Sequence, residues 1–293
     1  SSDLFGGRRM YGSCAVVGNS GNLRHAEWGA EIDRHEAVFR FNRAPTAGYE
    51  KWVGQRTDFR ILNNVQSRIY AQGGKRSPEL HAPELNKHQP MTHNEARELK
   101  RWKLAKKEDC PLDRNSTIVL SRQSPNDTAY LLHAIRMETL TRKIPHVRLT
   151  MLDKQFIFRY VKTALDEFRR CLALRQGADP RTWGRFRSPS SGVMITMGAM
   201  HLCQRVSVYG IGESMMKGSP YQYYKNQVDK FHRPNTKAHN FDLERQWMLL
   251  LSSEGLIRKC EAGTCLEADK PHRPSPVKPK ASGRTAVHPG GDL

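Results

Sequence analysis

Short apolar runs recur along the chain. They are Cys14-Ala15-Val16-Val17-Gly18, Ala37-Val38-Phe39-Arg40-Phe41, Phe59-Arg60-Ile61-Leu62, Thr117-Ile118-Val119-Leu120, His146-Val147-Arg148-Leu149 and Val206-Ser207-Val208-Tyr209-Gly210. Runs of this length and composition suit strands buried on both faces. Between them lie amphipathic or apolar stretches with helical spacing, clearest over 127–141, 154–174, 192–203 and 241–253. Strands alternating with helices predict one three-layer, Rossmann-like α/β domain with a mainly parallel sheet. Its limits are set at 14–266, after a polar lead-in at 1–13. The stretch 66–110 interrupts the rhythm with Lys, Arg, His and Pro, and only 95–107 looks helical, so a surface insertion is expected there. From 267 to 293 the chain turns to Pro, Lys, Ser and Gly with almost nothing apolar, which predicts a disordered basic tail. No internal repeat is present.

Composition changes this picture in two ways. The chain of 293 residues has 48 Lys and Arg against 29 Asp and Glu, a formal net charge of +19. Such a surplus invites a nucleic-acid or acidic-ligand reading. Interleaved aromatic and basic motifs, zinc-ligand spacing and a recognition helix are all missing, which disfavours the nucleic-acid partner. The tail, 270–293, holds five Lys and Arg against one Asp, and 66–110 holds ten against six, so most of the surplus belongs to the α/β domain. No stretch approaches the roughly 18 continuous apolar residues of a membrane span, and no signal-peptide pattern opens the chain.

The second change comes from six cysteines, Cys14, Cys110, Cys171, Cys203, Cys260 and Cys265, with no CxxC among them, and from two glycosylation sequons at Asn115 and Asn126. Together they favour a lumenal or extracellular compartment. Cys260 and Cys265 are close enough to pair locally, with Cys110 and Cys171 as a further candidate pair, but spacing leaves the connectivity open.

In a parallel α/β domain, ligands sit on the loops beyond the carboxyl ends of the strands. Two such loops carry usable chemistry. Gly18-Asn19-Ser20-Gly21 follows the first strand and combines close backbone approach with amide and hydroxyl side chains suited to phosphate or ribose. It is neither a G-x-G-x-x-G fingerprint nor a P-loop. Ser188-Pro189-Ser190-Ser191-Gly192 opens the apolar helical pattern that ends near Cys203, where a hydroxyl cap leaves amides facing outward.

Taken together, these segments resemble the eukaryotic sialyltransferase family. Cys14 to Gly21, with Gly29, Ile32-Asp33, His35, Arg40-Phe41-Asn42-Arg43-Ala44-Pro45, Gly48-Tyr49-Glu50, Val53-Gly54 and Arg56-Thr57, is similar to its long motif. Pro189-Ser190-Ser191-Gly192 through Cys203 to Val208-Tyr209-Gly210 is similar to the short motif. Tyr221-Gln222-Tyr223-Tyr224 falls at the third motif, and His239-Asn240-Phe241-Asp242-Leu243-Glu244 looks like the very short His-x4-Glu motif. The wording of 8–14 and 48–54 resembles the plant and algal branch, which would admit Kdo or Dha as the acidic sugar.

The resemblance implies an inverting glycosyltransferase of a GT-A-like variant fold. It would move sialic acid or a related acidic sugar from a CMP-sugar to a glycan or acidic polysaccharide hydroxyl, with no metal and no cofactor. The chain contains no Asp-x-Asp metal motif. Carried over, His239 is the general base, and Asn19, Ser20, Asn42, Ser190, Ser191, Gly192, Gly212, Gln222 and Tyr223 line the donor side. Cys14 pairs with Cys203. Glu244 is read as structural support, because five residues turn a helix by about 140° and place it off the face of His239. The family's third motif commonly offers His where this chain has Gln222, which carries no charge. A catalytically degenerate glycan-binding relative is therefore the alternative. The resemblance also implies a Golgi-lumenal enzyme held by one N-terminal membrane anchor that this chain lacks.

Overall fold

The computed structural model describes residues 10–63, 66–67, 116–121, 148–179, 188–212, 216, 218–224, 239–261 and 263–266. Most of the expected insertion at 66–110, the helical patterns at 95–107 and 127–141, the sequon residues Asn115 and Asn126, Cys110 and the tail at 267–293 lie outside these residues.

The apolar runs form strands β1 (Tyr11–Val17), β2 (Ala37–Phe41), β3 (Phe59–Leu62), β4 (Thr117–Leu120), β5 (Arg148–Met151) and β6 (Cys203–Tyr209). Two further strands, β7 (Arg258–Glu261) and β8 (Thr264–Leu266), were not expected. The eight strands make one sheet in the order β5-β4-β3-β2-β1-β6-β7-β8. Every neighbouring pair is parallel except β7 and β8, which close the edge as an antiparallel hairpin. Val16, Phe39, Ile61 and Val208 pack one face of the sheet, while Ala15, Val17, Val38 and Tyr209 pack the other. Both faces are thus buried, which is why these strands read as continuous apolar runs.

Five α-helices are described: α1 (Gly29–Asp33), α2 (Glu50–Val53), α3 (Thr163–Arg175), α4 (Ser191–Leu202) and α5 (Phe241–Ser253). A π-helical stretch, Phe156–Lys162, leads into α3. The expected pattern at 154–174 becomes this joined pair, and 192–203 and 241–253 become α4 and α5. The one-turn helices α1 and α2 were not expected; they are too short to show a period.

The chain winds outward from β1 in both directions, with β2 on one side and β6 on the other. This reversal is the switch point at which α/β folds open a crevice. Here the strand ends meet closely. A Cβ on Gly18 would lie 2.1 Å from the carbonyl oxygen of Gly210, so only glycine fits at the mouth of β1. Below the crevice, a buried disulfide joins Cys14 on β1 to Cys203 at the start of β6, with the Cα atoms 6.0 Å apart. This is the pairing the resemblance implies. Cys260 and Cys265 pair across the β7–β8 hairpin. Cys171 is a free, exposed thiol on α3.

Candidate functional site

The first wall of the crevice is built by the turn after β1. Ser20 caps the 3-10 turn Gly21–His25, its Oγ accepting from the Asn22 amide at 3.2 Å. The segment carrying Gln222 lies antiparallel to it: Ser20 bridges Gln222, and the Tyr223 amide donates to the Asn19 carbonyl at 3.1 Å. This brings Asn19 and Gln222 together from positions 203 residues apart. The side-chain oxygens of both are buried without a hydrogen-bond partner. Orphaned buried amide atoms are costly, and two on adjacent strands mark a place shaped for a polar ligand.

Tyr223 behaves differently from its expected donor-side role. It is 1% exposed, its ring meets Tyr49 and Tyr224 edge-on, and its hydroxyl donates to the Pro45 carbonyl at 2.6 Å. The phenol proton is thus already bound, and Tyr223 ties the third segment to the turn after β2. Gly212, with φ +66°, packs on α5, where a Cβ would sit 3.0 Å from Met248 Cγ.

The second wall is the turn after β2. Asn42 is, among the described residues, the non-glycine residue with positive φ, at +55°. Its amide donates to the Ile61 carbonyl at 2.7 Å, and its Oδ1 accepts from the Asn63 amide at 3.1 Å. The oxygen end of the side chain is thereby fixed.

The third wall is the start of α4. Ser190 is the N-cap, with its Oγ accepting from Val193 at 3.4 Å. Ser191 Oγ meets Ser121 Oγ, just past β4, at 3.1 Å. Gly192 lies against Ile211, where a Cβ would come within 2.9 Å of Cγ2. By helix geometry the amides of Ser191 and Gly192 have no intrahelical acceptor, and they sit at the positive end of the helix dipole. This is an anion-ready position.

The fourth element is the entry to α5. Asn240 caps it, its Oδ1 accepting from Leu243 at 3.0 Å. Just before the cap, His239 donates from Nδ1 to the Ser188 carbonyl at 2.7 Å, because a carbonyl can only accept. In the neutral ring that bond sets the tautomer, with the proton on Nδ1. The half-buried His239 ring stands 5.6 Å from Phe241. One turn further, Glu244 is 3% exposed and its Oε1 accepts from the Ser190 amide at 2.7 Å. His239 and Glu244 therefore grip the same short stretch, Ser188 to Ser190, at its two ends. Sequence spacing sets His239, ahead of α5, apart from Glu244 on it; tertiary contact reunites them on a common partner.

Sequence reasoning missed Ser121 and Asn63, which contribute a hydroxyl and an amide, and singled out Ser188 for its hydroxyl where its carbonyl is the group used. Backbone roles carry no residue-type signal. A separate polar cluster lies to the side: the Glu31 carboxylate accepts from Tyr209 and Arg258 beside the Cys260–Cys265 disulfide. Burial, and then the Glu31 charge, push the Tyr209 phenol well above its usual range.

Fold and site together define a Rossmann-like α/β domain with a polar crevice at the β1/β6 seam. The chain belongs to glycosyltransferase family 29 (sialyltransferase), whose sequence profile matches residues 6–256. Among its relatives, the human CMP-N-acetylneuraminate-beta-galactosamide-alpha-2,3-sialyltransferase 1 is 27% identical over 250 residues, covering 84% of this chain and 57% of that protein. The chicken (Gallus gallus) alpha-N-acetylgalactosaminide alpha-2,6-sialyltransferase 1 is 29% identical over 257 residues, covering 84% of this chain and 39% of that protein. The chain therefore spans only part of the length of such relatives, 57% of the first and 39% of the second. A crystal structure of a mammalian sialyltransferase shares the fold at a TM-score of 0.51 and 20% identity, over 87% of this chain and 70% of that one. A second such structure holds Gal-beta-1-3GalNAc-ortho-nitrophenol and matches at a TM-score of 0.51 and 22% identity.

Proposed function

We propose that this protein is a sialyltransferase: it moves sialic acid, or a related acidic sugar, from a CMP-sugar to a glycan hydroxyl with inversion and without a metal. The observation that carries this reading is the bond from His239 Nδ1 to the Ser188 carbonyl, which in the neutral ring makes Nε2 the nitrogen able to take a proton. Nε2 takes the proton of the acceptor hydroxyl as its oxygen attacks the anomeric carbon from the face opposite the phosphate. The bond to CMP breaks, and the phosphate leaves with both electrons. Asn19 and Asn42 hold the phosphate and ribose, Gln222 stands beside the phosphate, and Ser190, Ser191 and Gly192 surround the cytidine. Stabilisation of the leaving group comes from neutral amides and a helix N-terminus, which act without reorganising at the moment of reaction.

The Golgi lumen is the proposed place of work, supported by the two disulfides. None of the helices among the described residues is long and apolar enough to cross a membrane.

The test is a donor screen with CMP-sialic acid and CMP-Kdo against a glycan panel, scored by CMP release without added metal. Release that requires both donor and acceptor is expected. Replacing His239 with Ala should lower transfer by about 10²–10⁴-fold while CMP still binds. Undiminished turnover by that variant would remove His239 as the base, and glycan binding with no CMP release from any donor would replace the enzyme by a binding protein.

A further inference from the structure

Two guanidinium groups lie side by side inside the sheet, under the turn that carries Asn42. Arg40 on β2 and Arg60 on β3 are register partners, and each is 1% exposed. A buried cation must be satisfied by hydrogen bonds, and both are used on backbone carbonyls. Arg40 donates from Nε to Arg56 and from Nη2 to Val53, at 2.7 and 2.6 Å, fastening the end of α2. Arg60 reaches the other way. Its Nη1 donates to the carbonyls of Asn42 at 3.2 Å and Ala44 at 2.8 Å.

Those two carbonyls bracket the turn that starts in a left-handed conformation. Such a conformation is costly for a residue with a Cβ, and it persists only where its surroundings enforce it. At Asn42 the amide is held by Ile61, the side-chain oxygen by Asn63 and the carbonyl by Arg60. Tyr223 pins the far side of the turn through Pro45. Strand pairing and the Asn63 contact act on the amide and the side chain, whereas Arg60 acts on the carbonyl side, which a left-handed residue turns away from the ladder.

We propose that Arg60 is a positioning residue for donor binding: it clamps the carbonyls of Asn42 and Ala44 and so holds Asn42 in the conformation that offers its side-chain NH2 to the nucleotide. The inference rests on the donor-site reading given above. Lysine cannot substitute, since a single ammonium on a flexible stem lacks the planar fork that reaches two carbonyls from a fixed plane.

A double-mutant cycle read by calorimetric binding of CMP tests this. Arg60→Lys is expected to weaken CMP binding about tenfold. In an Asn42→Gly background, which accepts positive φ unaided but has no amide to present, the same Arg60→Lys change should alter CMP binding by less than about twofold. Equal losses in both backgrounds would mean that Arg60 merely supports the fold, and would overturn its positioning role while leaving the donor site standing. Failure of the unmodified chain to bind CMP would overturn the donor site itself. Circular dichroism is read first, because a buried arginine can be needed for folding, and Arg60→Gln is carried alongside. If neither variant folds, the Asn42 Nδ2 resonance of the unmodified protein decides: a shift on adding CMP is required, and an unmoved resonance overturns the proposal.

Discussion

At the scale of single residues, Glu244 and His35 show how one buried side chain sets a measurable property. The carboxylate of Glu244 receives the Ser190 amide, so the cap of α4 is fixed from α5. Glu244→Ala removes the acceptor and leaves a part-buried N–H unpaired, at a cost of about 1–3 kcal/mol. Chemical denaturation should show that loss together with weaker CMP binding, whereas Glu244→Gln, which keeps a carbonyl oxygen, should recover most of both. His35 is 9% exposed and donates from Nδ1 towards the carbonyls of Glu31 and Ile32 at 3.1 and 3.2 Å. Burial disfavours its charged form by more than those carbonyls and the Glu31 charge favour it, so its pKa is lowered from 6.5. Below pH 6.5, down to the folded-state value, the unfolded chain then binds more protons than the folded one. Stability should therefore fall as pH drops through that window, and be unaffected by this group above it. Urea titrations at about pH 7.5 and about pH 5 should show a smaller difference for His35→Gln than for the parent; an identical difference would acquit the imidazole.

At the scale of elements, the apolar runs located β1 to β4 and β6 well, and β5 is described over Arg148–Met151, with His146 and Val147 of its run outside the described residues. Strands buried on both faces leave such runs. β7 left none, because Arg258-Lys259-Cys260-Glu261 becomes a strand through its neighbours. Lys259 lies 1% exposed with its ammonium on Glu261, and Cys260 is tied across the hairpin. A buried lysine reads as surface in any pattern of polar and apolar positions. The site was legible to the same degree. Residues whose side chains the proposed site uses, Asn19, Asn42, Ser190 and His239, stood out through loop position and resemblance. Among their supports, Glu244 stood out through the same resemblance but its partner did not: it meets Ser190 across 54 residues, and periodicity along one helix is blind to a contact of that kind. Arg40 and Arg60 were hidden in the opposite sense, as charges inside apolar runs. The covalent element has its own consequence for stability. Cys14–Cys203 closes a loop of 189 residues between β1 and β6. Cys14→Ala with Cys203→Ala should lower stability by about 2–5 kcal/mol, read as an earlier unfolding midpoint in denaturant.

At the scale of the whole molecule, the excess of +19 takes on a more specific meaning. A CMP-linked acidic sugar brings a phosphate and a carboxylate, and a basic domain raises the local concentration of such a ligand. On the proposed reading the crevice would meet that charge with amides, hydroxyls and a helix end, so that attraction at long range and recognition at contact would be done by different groups.

The seam between β1 and β6 also has a consequence in time. Its two strands pair in parallel from Tyr11 with Cys203 to Val17 with Tyr209, yet Cys14 and Cys203 are separated by 189 residues. A ribosome delivers β1 long before β6 exists. Until then Cys14 has no native partner, the Gly18 loop has no opposing Gly210, and the donor crevice has only one wall. Pairing of such distant segments is slow and exposes unsatisfied strand edges meanwhile. An oxidising compartment that introduced disulfides as the chain emerged would offer Cys14 the thiols of Cys110 and Cys171 first, so correct maturation depends on isomerisation keeping pace with synthesis.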